Sequence, residues 1–253
     1  MKILTFYFSG SGNTQWVIHQ LDSMFRQSGY ISQCAAIEEI DMAEYIKSMT
    51  NAFDYIGFAY PLYGANIPRI MRGRIRQFLL AARNNPAIPL KLFLINTFAY
   101  VNGHGVFQAT KLLRHTPFGI IAYLNIKMPN SAPQKRNANR TGQFIADDNR
   151  KRKAVYKLTE FVKRLEHGKT YINGVGPHLF VGKVIRRVLR KAIANNYQKM
   201  HVDLRACTKC MQCVRRCPVQ CIQYQNGAFI FSSACEACMR CYHGCPAHAI
   251  SND

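Results

Sequence analysis

Cys207-Thr208-Lys209-Cys210-Met211-Gln212-Cys213-Val214-Arg215-Arg216-Cys217-Pro218 and Cys235-Glu236-Ala237-Cys238-Met239-Arg240-Cys241-Tyr242-His243-Gly244-Cys245-Pro246 are two copies of C-x2-C-x2-C-x3-C-P. Isolated C-x2-C pairs would suit zinc or disulfides as well. Repetition of the whole pattern, both prolines included, points instead to a pair of 4Fe-4S clusters. In such a run the first three thiolates lie on one tight loop around a cluster. The Cys-Pro turn carries the fourth away to the other cluster. One cluster is therefore expected on Cys207, Cys210, Cys213 and Cys245, the other on Cys235, Cys238, Cys241 and Cys217.

Residues 201–253 resemble the bacterial-type two-cluster ferredoxins. Pro246-Ala247-His248-Ala249-Ile250 is similar to that family's C-P-x-x-A-I ending. After the first run, Pro218-Val219-Gln220-Cys221-Ile222 puts Cys221 where the family usually has alanine. A small buried residue serves there, so Cys221 reads as a packed thiol rather than a ninth ligand. Cys34, far from both runs, reads as a core residue.

The chain of 253 residues leaves about 200 outside this segment, enough for a further α/β domain. Its apolar stretches are short or broken by glycine, proline and charge, so no membrane span is expected. Met1-Lys2-Ile3-Leu4-Thr5 runs directly into a strand pattern without a signal-peptide cleavage site. Eight cysteines in cluster spacing suit a reducing cytoplasm. The formal net charge is +21, and residues 127–200 alone carry 18 Lys/Arg against 4 Asp/Glu. Such a surface is expected to attract an acidic partner. A nucleic-acid binder is disfavoured because the basic segment contains no recognised binding motif.

From the N-terminus the pattern alternates. Strands are expected at Lys2–Phe8, Ile31–Ile37, Phe53–Tyr60, Lys91–Thr97 and Gly119–Ile126, with helices between them. Trp16, Val17, Leu21, Met24 and Phe25 mark the buried face of the first helix, and Met71, Ile75, Phe78, Leu79 and Ala82 that of the third. Five such strands call for a parallel sheet covered on both faces. Met128–Thr141 reads as an irregular loop, Asn149–His167 as the last helix of the domain and Lys169–Pro177 as a linker. Phe180–Asn195 reads as an amphipathic helix whose stripe of Val184, Ile185, Val188, Leu189, Ala192 and Ile193 opposes Lys183, Arg186, Arg187, Arg190 and Lys191.

Three loops follow strand ends. Ser9-Gly10-Ser11-Gly12-Asn13-Thr14 leads into the first helix. It lacks the Gly-Lys of a Walker loop and the third glycine of a dinucleotide fingerprint, but its hydroxyls and helix-end N–H groups suit a phosphate. Pro61-Leu62-Tyr63-Gly64 follows the third strand, and Thr97-Phe98-Ala99-Tyr100-Val101-Asn102-Gly103 the fourth. Together the loops resemble those of flavodoxins. That resemblance implies a doubly wound sheet of order 2-1-3-4-5, FMN as cofactor, and an aromatic ring, Tyr63, stacked on the isoalloxazine. The implied FMN contacts are Ser9, Gly10, Ser11, Gly12, Asn13, Thr14, Pro61, Leu62, Tyr63, Gly64, Thr97, Phe98, Ala99, Tyr100, Asn102 and Gly103.

The expected organisation is a flavodoxin-like domain at 1–167, a basic linker and helix at 168–200, and a small α+β two-cluster domain at 201–253. The whole resembles the flavodoxin-ferredoxin fusion proteins of anaerobic bacteria and archaea. This implies electron transfer between FMN, two 4Fe-4S clusters and an acidic redox protein such as a ferredoxin, a flavodoxin or a reductase. The alternative is an FMN-dependent reductase of a small molecule that uses the ferredoxin domain as its electron feed. No residue presents itself as a catalytic acid or base.

Overall fold

The computed structural model describes residues 1–253 except 50–52, 84, 86–87, 90, 103–104, 132–147, 174–185, 187, 191 and 253. Strands β1 (Lys2–Tyr7), β2 (Ile31–Ala36), β3 (Tyr55–Pro61), β4 (Lys91–Phe98) and β5 (Gly119–Lys127) pair in parallel in the order β2-β1-β3-β4-β5. This is the flavodoxin-like doubly wound order. A sixth strand, β6 (Tyr171–Ile172), extends the sheet beside β5. The expected five-stranded sheet therefore has six strands, and the first residues read as a linker belong to it. Two residues are too few to show a period. The Asn125 N–H donates to Asn173 Oδ1 at 2.8 Å and its side-chain amide to the Asn173 carbonyl at 2.6 Å, which fastens this edge.

The central strands are apolar runs because both faces are covered. On one face Leu4, Phe6, Ile56, Phe58 and Tyr60 pack under α2 (Met42–Lys47), α3 (Arg69–Ala82) and α4 (Gly105–Leu113). On the other, Ile3, Ala59, Phe93 and Ile95 meet α1 (Asn13–Gln27) and α5 (Asp148–Glu166). The α3 stripe read from the sequence, Met71, Ile75, Phe78, Leu79 and Ala82, is wholly buried. Phe58 and Phe78 meet edge-to-face with centroids 5.1 Å apart. Fully burying such a side chain is worth about 1.5–3 kcal/mol, so this aromatic layer fixes the seat of α3 on the sheet. In α1, Val17, Leu21 and Phe25 are buried, while Trp16 and Met24 pack at the margin.

The C-terminal segment builds a separate small core. β7 (Met200–Val202) pairs antiparallel with β10 (Ile250–Asn252), and β8 (Ile222–Gln225) with β9 (Ala228–Phe231). Asn226 and Gly227, at φ of 49° and 79°, form the two-residue turn that joins the second pair. Met200, Cys221, Ile222, Phe231, Tyr242 and Ile250 close the core. Much of the expected amphipathic helix, including Val184, Ile185, Lys183, Arg187 and Lys191, lies outside the described residues. Residues 188–190 and 192–194 are helical.

Candidate functional site

A cavity of about 240 Å³ opens at the carboxyl ends of β1, β3 and β4, where doubly wound sheets take their ligands. Its walls include Ser9, Gly10, Ser11, Asn13, Thr14, Pro61, Leu62, Tyr63, Gly64, Thr97, Phe98, Ala99 and Tyr100. Gly12 and Asn102 do not line it, and Gly103 lies outside the described residues. Gly12, at φ 97°, turns the chain into α1, and its N–H donates to Ser9 Oγ at 3.2 Å. Thr14 Oγ1 is 2.8 Å from Thr97 Oγ1, which ties the first loop to the third. α1 has no side-chain cap and no acidic residue in its first turn. Its N-terminal N–H groups and positive dipole end thus face the cavity without an anion of the chain's own, which suits a phosphate.

Tyr63 lines the cavity and packs, partly buried, against the sheet core. Its hydroxyl bonds to the Gly10 backbone, and burial pushes its pKa well above the usual phenol value. Tyr100, by contrast, is 69% exposed at the rim. Sequence reasoning missed several walls. Met128, Pro129 and Asn130 follow β5, Leu189 and Ile193 come from the helical residues after 187, and Ala237 and Met239 come from the second cysteine run. The carboxyl-end rule could have found the first group; nothing local in the sequence marks the others.

The cysteines form two sets. Cys207, Cys210, Cys213 and Cys245 line one small cavity, and Cys217, Cys235, Cys238 and Cys241 line another together with Cys221. Among the described residues, no three Cys, His, Asp or Glu are grouped as ligands of a single ion. The backbone repeats with the sequence. Lys209 and Met211 have positive φ in the first run, Ala237 and Met239 in the second, and Gln220 and His248 after each Cys-Pro. These turns aim N–H groups at sulfur: Lys209 N lies 3.4 Å from Cys207 Sγ, Ala237 N 3.4 Å from Cys235 Sγ, Cys221 N 3.4 Å from Cys217 Sγ and Ala249 N 3.3 Å from Cys245 Sγ. Donors placed on sulfur stabilise thiolate and shift the potential of any cluster it binds. The loops therefore fit the clusters that the spacing implies.

Cys221 is buried 3.4 Å from Cys217 Sγ. The Cys221 thiol beside them draws the pKa of Cys217 down to about 6 and that of Cys235 down to about 7, while its own is pushed far up. Cys221 thus sits beside cysteines of the second set, in sulfur contact with Cys217. Cys34 is partly buried against the sheet, and its pKa is raised to about 12 by burial.

The second run is also the joint between the two parts of the chain. Cys238 is packed into the sheet's own core cluster. The Glu236 carboxylate, 6% exposed, accepts from the N–H groups of Arg69 and Ile70 at 3.0 Å each, at the N-terminus of α3. Arg69 adds an ion pair to Glu236 at 3.4 Å and donates to the Ser233 and Cys235 carbonyls. Arg240 donates to the Ser9 carbonyl at 2.7 Å, pairs with Glu38, and lies 5.7 Å over the Phe8 ring. A Cβ at Gly10 would overlap the Cys238 carbonyl and the Tyr63 hydroxyl. The glycine therefore permits contact between the phosphate-type loop and a cysteine of the second set.

A family model described as "4Fe-4S binding domain" matches residues 200–223. That segment, which holds the first cysteine run, is thus similar to a 4Fe-4S binding domain. No curated protein matches the chain in sequence. Among solved structures, the rubredoxin oxygen:oxidoreductase of the anaerobe Desulfovibrio gigas is 12% identical with a TM-score of 0.44, and the match covers 75% of this chain but only 36% of that one. A flavodoxin of Streptococcus pneumoniae TIGR4 is 14% identical with a TM-score of 0.46, over 66% of this chain and 99% of that one. Flavodoxin 1 of Bacillus cereus is 15% identical with a TM-score of 0.44, over 64% of this chain and 98% of that one. The strand order, rather than these superpositions, carries the flavodoxin-like fold. The matched segment holds the first cysteine run and follows that sheet in the chain; the second run lies beyond the match and is seated on the sheet. Among the described residues no helix is long and apolar enough to cross a membrane.

Proposed function

We propose that this protein is an electron-transfer iron-sulfur flavoprotein that passes electrons between FMN, two 4Fe-4S clusters and an external redox partner in a reducing, cytoplasmic setting. The FMN phosphate would be held by Ser9, Ser11 and the open N-terminus of α1, and its ring by the Tyr63 and Tyr100 loops. Cys207, Cys210, Cys213 and Cys245 would hold one cluster, and Cys217, Cys235, Cys238 and Cys241 the other. FMN exchanges electrons two at a time or singly, whereas each cluster exchanges one, so together they link hydride-type and one-electron chemistry.

The observation that supports this reading is the shared wall. Ala237 and Met239, from the loop that presents Cys235, Cys238 and Cys241, line the same cavity as the phosphate-type loop and Tyr63. The second cysteine loop meets the phosphate-type loop directly: Cys238 is buried, and Arg240 donates to the Ser9 carbonyl. The test is anaerobic purification with iron, acid-labile sulfide and flavin analysis, then redox titration followed by EPR and visible spectra. Two 4Fe-4S clusters and one noncovalent FMN per chain are expected. Zinc without sulfide would sink the cluster assignment, and FAD, or no flavin after reconstitution, would sink the FMN assignment.

A further inference from the structure

The two cysteine sets differ in what surrounds them. In the second run Cys238 is buried against the sheet, and the charged side chains Glu236 and Arg240 are both spent on the joint with the first domain. The first run faces outward, with Cys210 exposed. Residues 201–253 contain five Lys/Arg. Arg240 is turned into the joint, and the other four, Arg205, Lys209, Arg215 and Arg216, are exposed around the first run with only Asp203 of opposite sign in that stretch. Arg215 donates to the Cys210 carbonyl at 2.7 Å, which anchors part of this positive rim to the cysteine loop itself.

From this polarity we infer that an acidic electron-carrier protein docks on the surface formed by Arg205, Lys209, Arg215 and Arg216 around Cys210. The inference rests on the electron-transfer reading above and deepens it by naming the face used. One electron crosses per encounter: the carrier is reduced by one as this protein is oxidised by one, or the reverse, and no bond is made or broken. Four thiolates around an oxidised 4Fe-4S core leave about two net negative charges below the surface, so the outward cations are what a partner meets first. Such a rim steers an anionic partner and fixes its orientation. The second run offers no equivalent face, since its loop is covered by α3 and the phosphate-type loop.

The test uses the whole holoprotein, photoreduced and mixed in a stopped-flow cell with an acidic 2Fe-2S ferredoxin as probe. Iron, sulfide and flavin contents and the EPR of both clusters are measured first; if the cofactors or their reduction are missing, the parent reading fails and this one with it. With the cofactors in place, the association rate is expected to fall as salt rises. Arg205→Glu with Arg216→Glu should lower it about tenfold or more at low salt while leaving cofactor content and midpoint potentials as in the parent. Lys111→Glu with Arg114→Glu, an equal charge change on exposed residues around α4, should shift it far less. Docking at the first run is overturned if both pairs act alike, if the rim pair has no effect, or if the parent rate ignores salt.

Discussion

Replacing Gly10 with alanine would drive the new Cβ into the Cys238 carbonyl and the Tyr63 hydroxyl, and both belong to fixed structure. Gly10→Ala is therefore expected to weaken FMN binding by about fivefold or more, as an overpacking cost of about 1–3 kcal/mol implies, and to hasten loss of iron from the second set. Flavin affinity by fluorescence and cluster bleaching under a chelator check this; parent-like values for both would show that the loop and Cys238 can part freely. Tyr63→Ala should also loosen FMN and change its visible spectrum while the cluster absorbance persists. If Tyr100→Ala does this and Tyr63→Ala does not, the rim tyrosine is the stacking ring. Cys221→Ala removes a thiol placed between Cys217 and Cys235. It should leave iron and sulfide stoichiometry unchanged and lower the potential of one cluster, because a hydrogen bond to its sulfur is lost. Loss of half the iron would instead make Cys221 a ligand.

α3 begins after Pro68, which offers no side-chain cap. Its first N–H groups are satisfied by Glu236, 166 or more positions along the chain. A carboxylate at a helix N-terminus stabilises it both as acceptor and through the dipole. Glu236→Ala should cost about 1–2 kcal/mol in an anaerobic urea midpoint followed by helix signal, and Glu236→Gln should recover part of it. Equal midpoints for all three proteins would show that water caps α3 as well. The cysteine loops behave differently as elements. Lys209, Met211, Gln220, Ala237, Met239 and His248 all hold left-handed backbone, which costs an L-residue about 1–2 kcal/mol. Removing iron should therefore release residues 201–253 to fast hydrogen exchange while β1, β3 and β4 stay protected. Uniform exchange throughout the chain would mean that the two parts unfold as one.

For the whole molecule, charge and joint act at different ranges. The +21 formal charge reaches a partner only over about 8 Å at physiological salt, so where the cations lie decides more than their sum. The expectation from composition placed the partner near residues 127–200, much of which lies outside the described residues. The exposed rim at the first cysteine run, with only four cations, is the face proposed above for docking.

Residue spacing alone made the two cysteine runs legible, because three of the four cysteines proposed for each cluster follow one another at C-x2-C-x2-C spacing. The apolar runs and the α3 stripe determined the sheet and its covered faces, because the 2.0 and 3.6 periods are properties of short segments. The loops at the ends of β1, β3 and β4 were legible for the same reason, since each directly follows a readable strand. β6 was not legible, because two residues carry no period. Only the tertiary structure decided that Ala237, Met239, Leu189 and Ile193 complete the cavity, that Glu236 caps α3, and that Gly10 is needed for contact with Cys238. Each of these pairs residues across more than 100 positions. Which distant surfaces meet depends on how two finished cores fit together, a relation that no local pattern encodes.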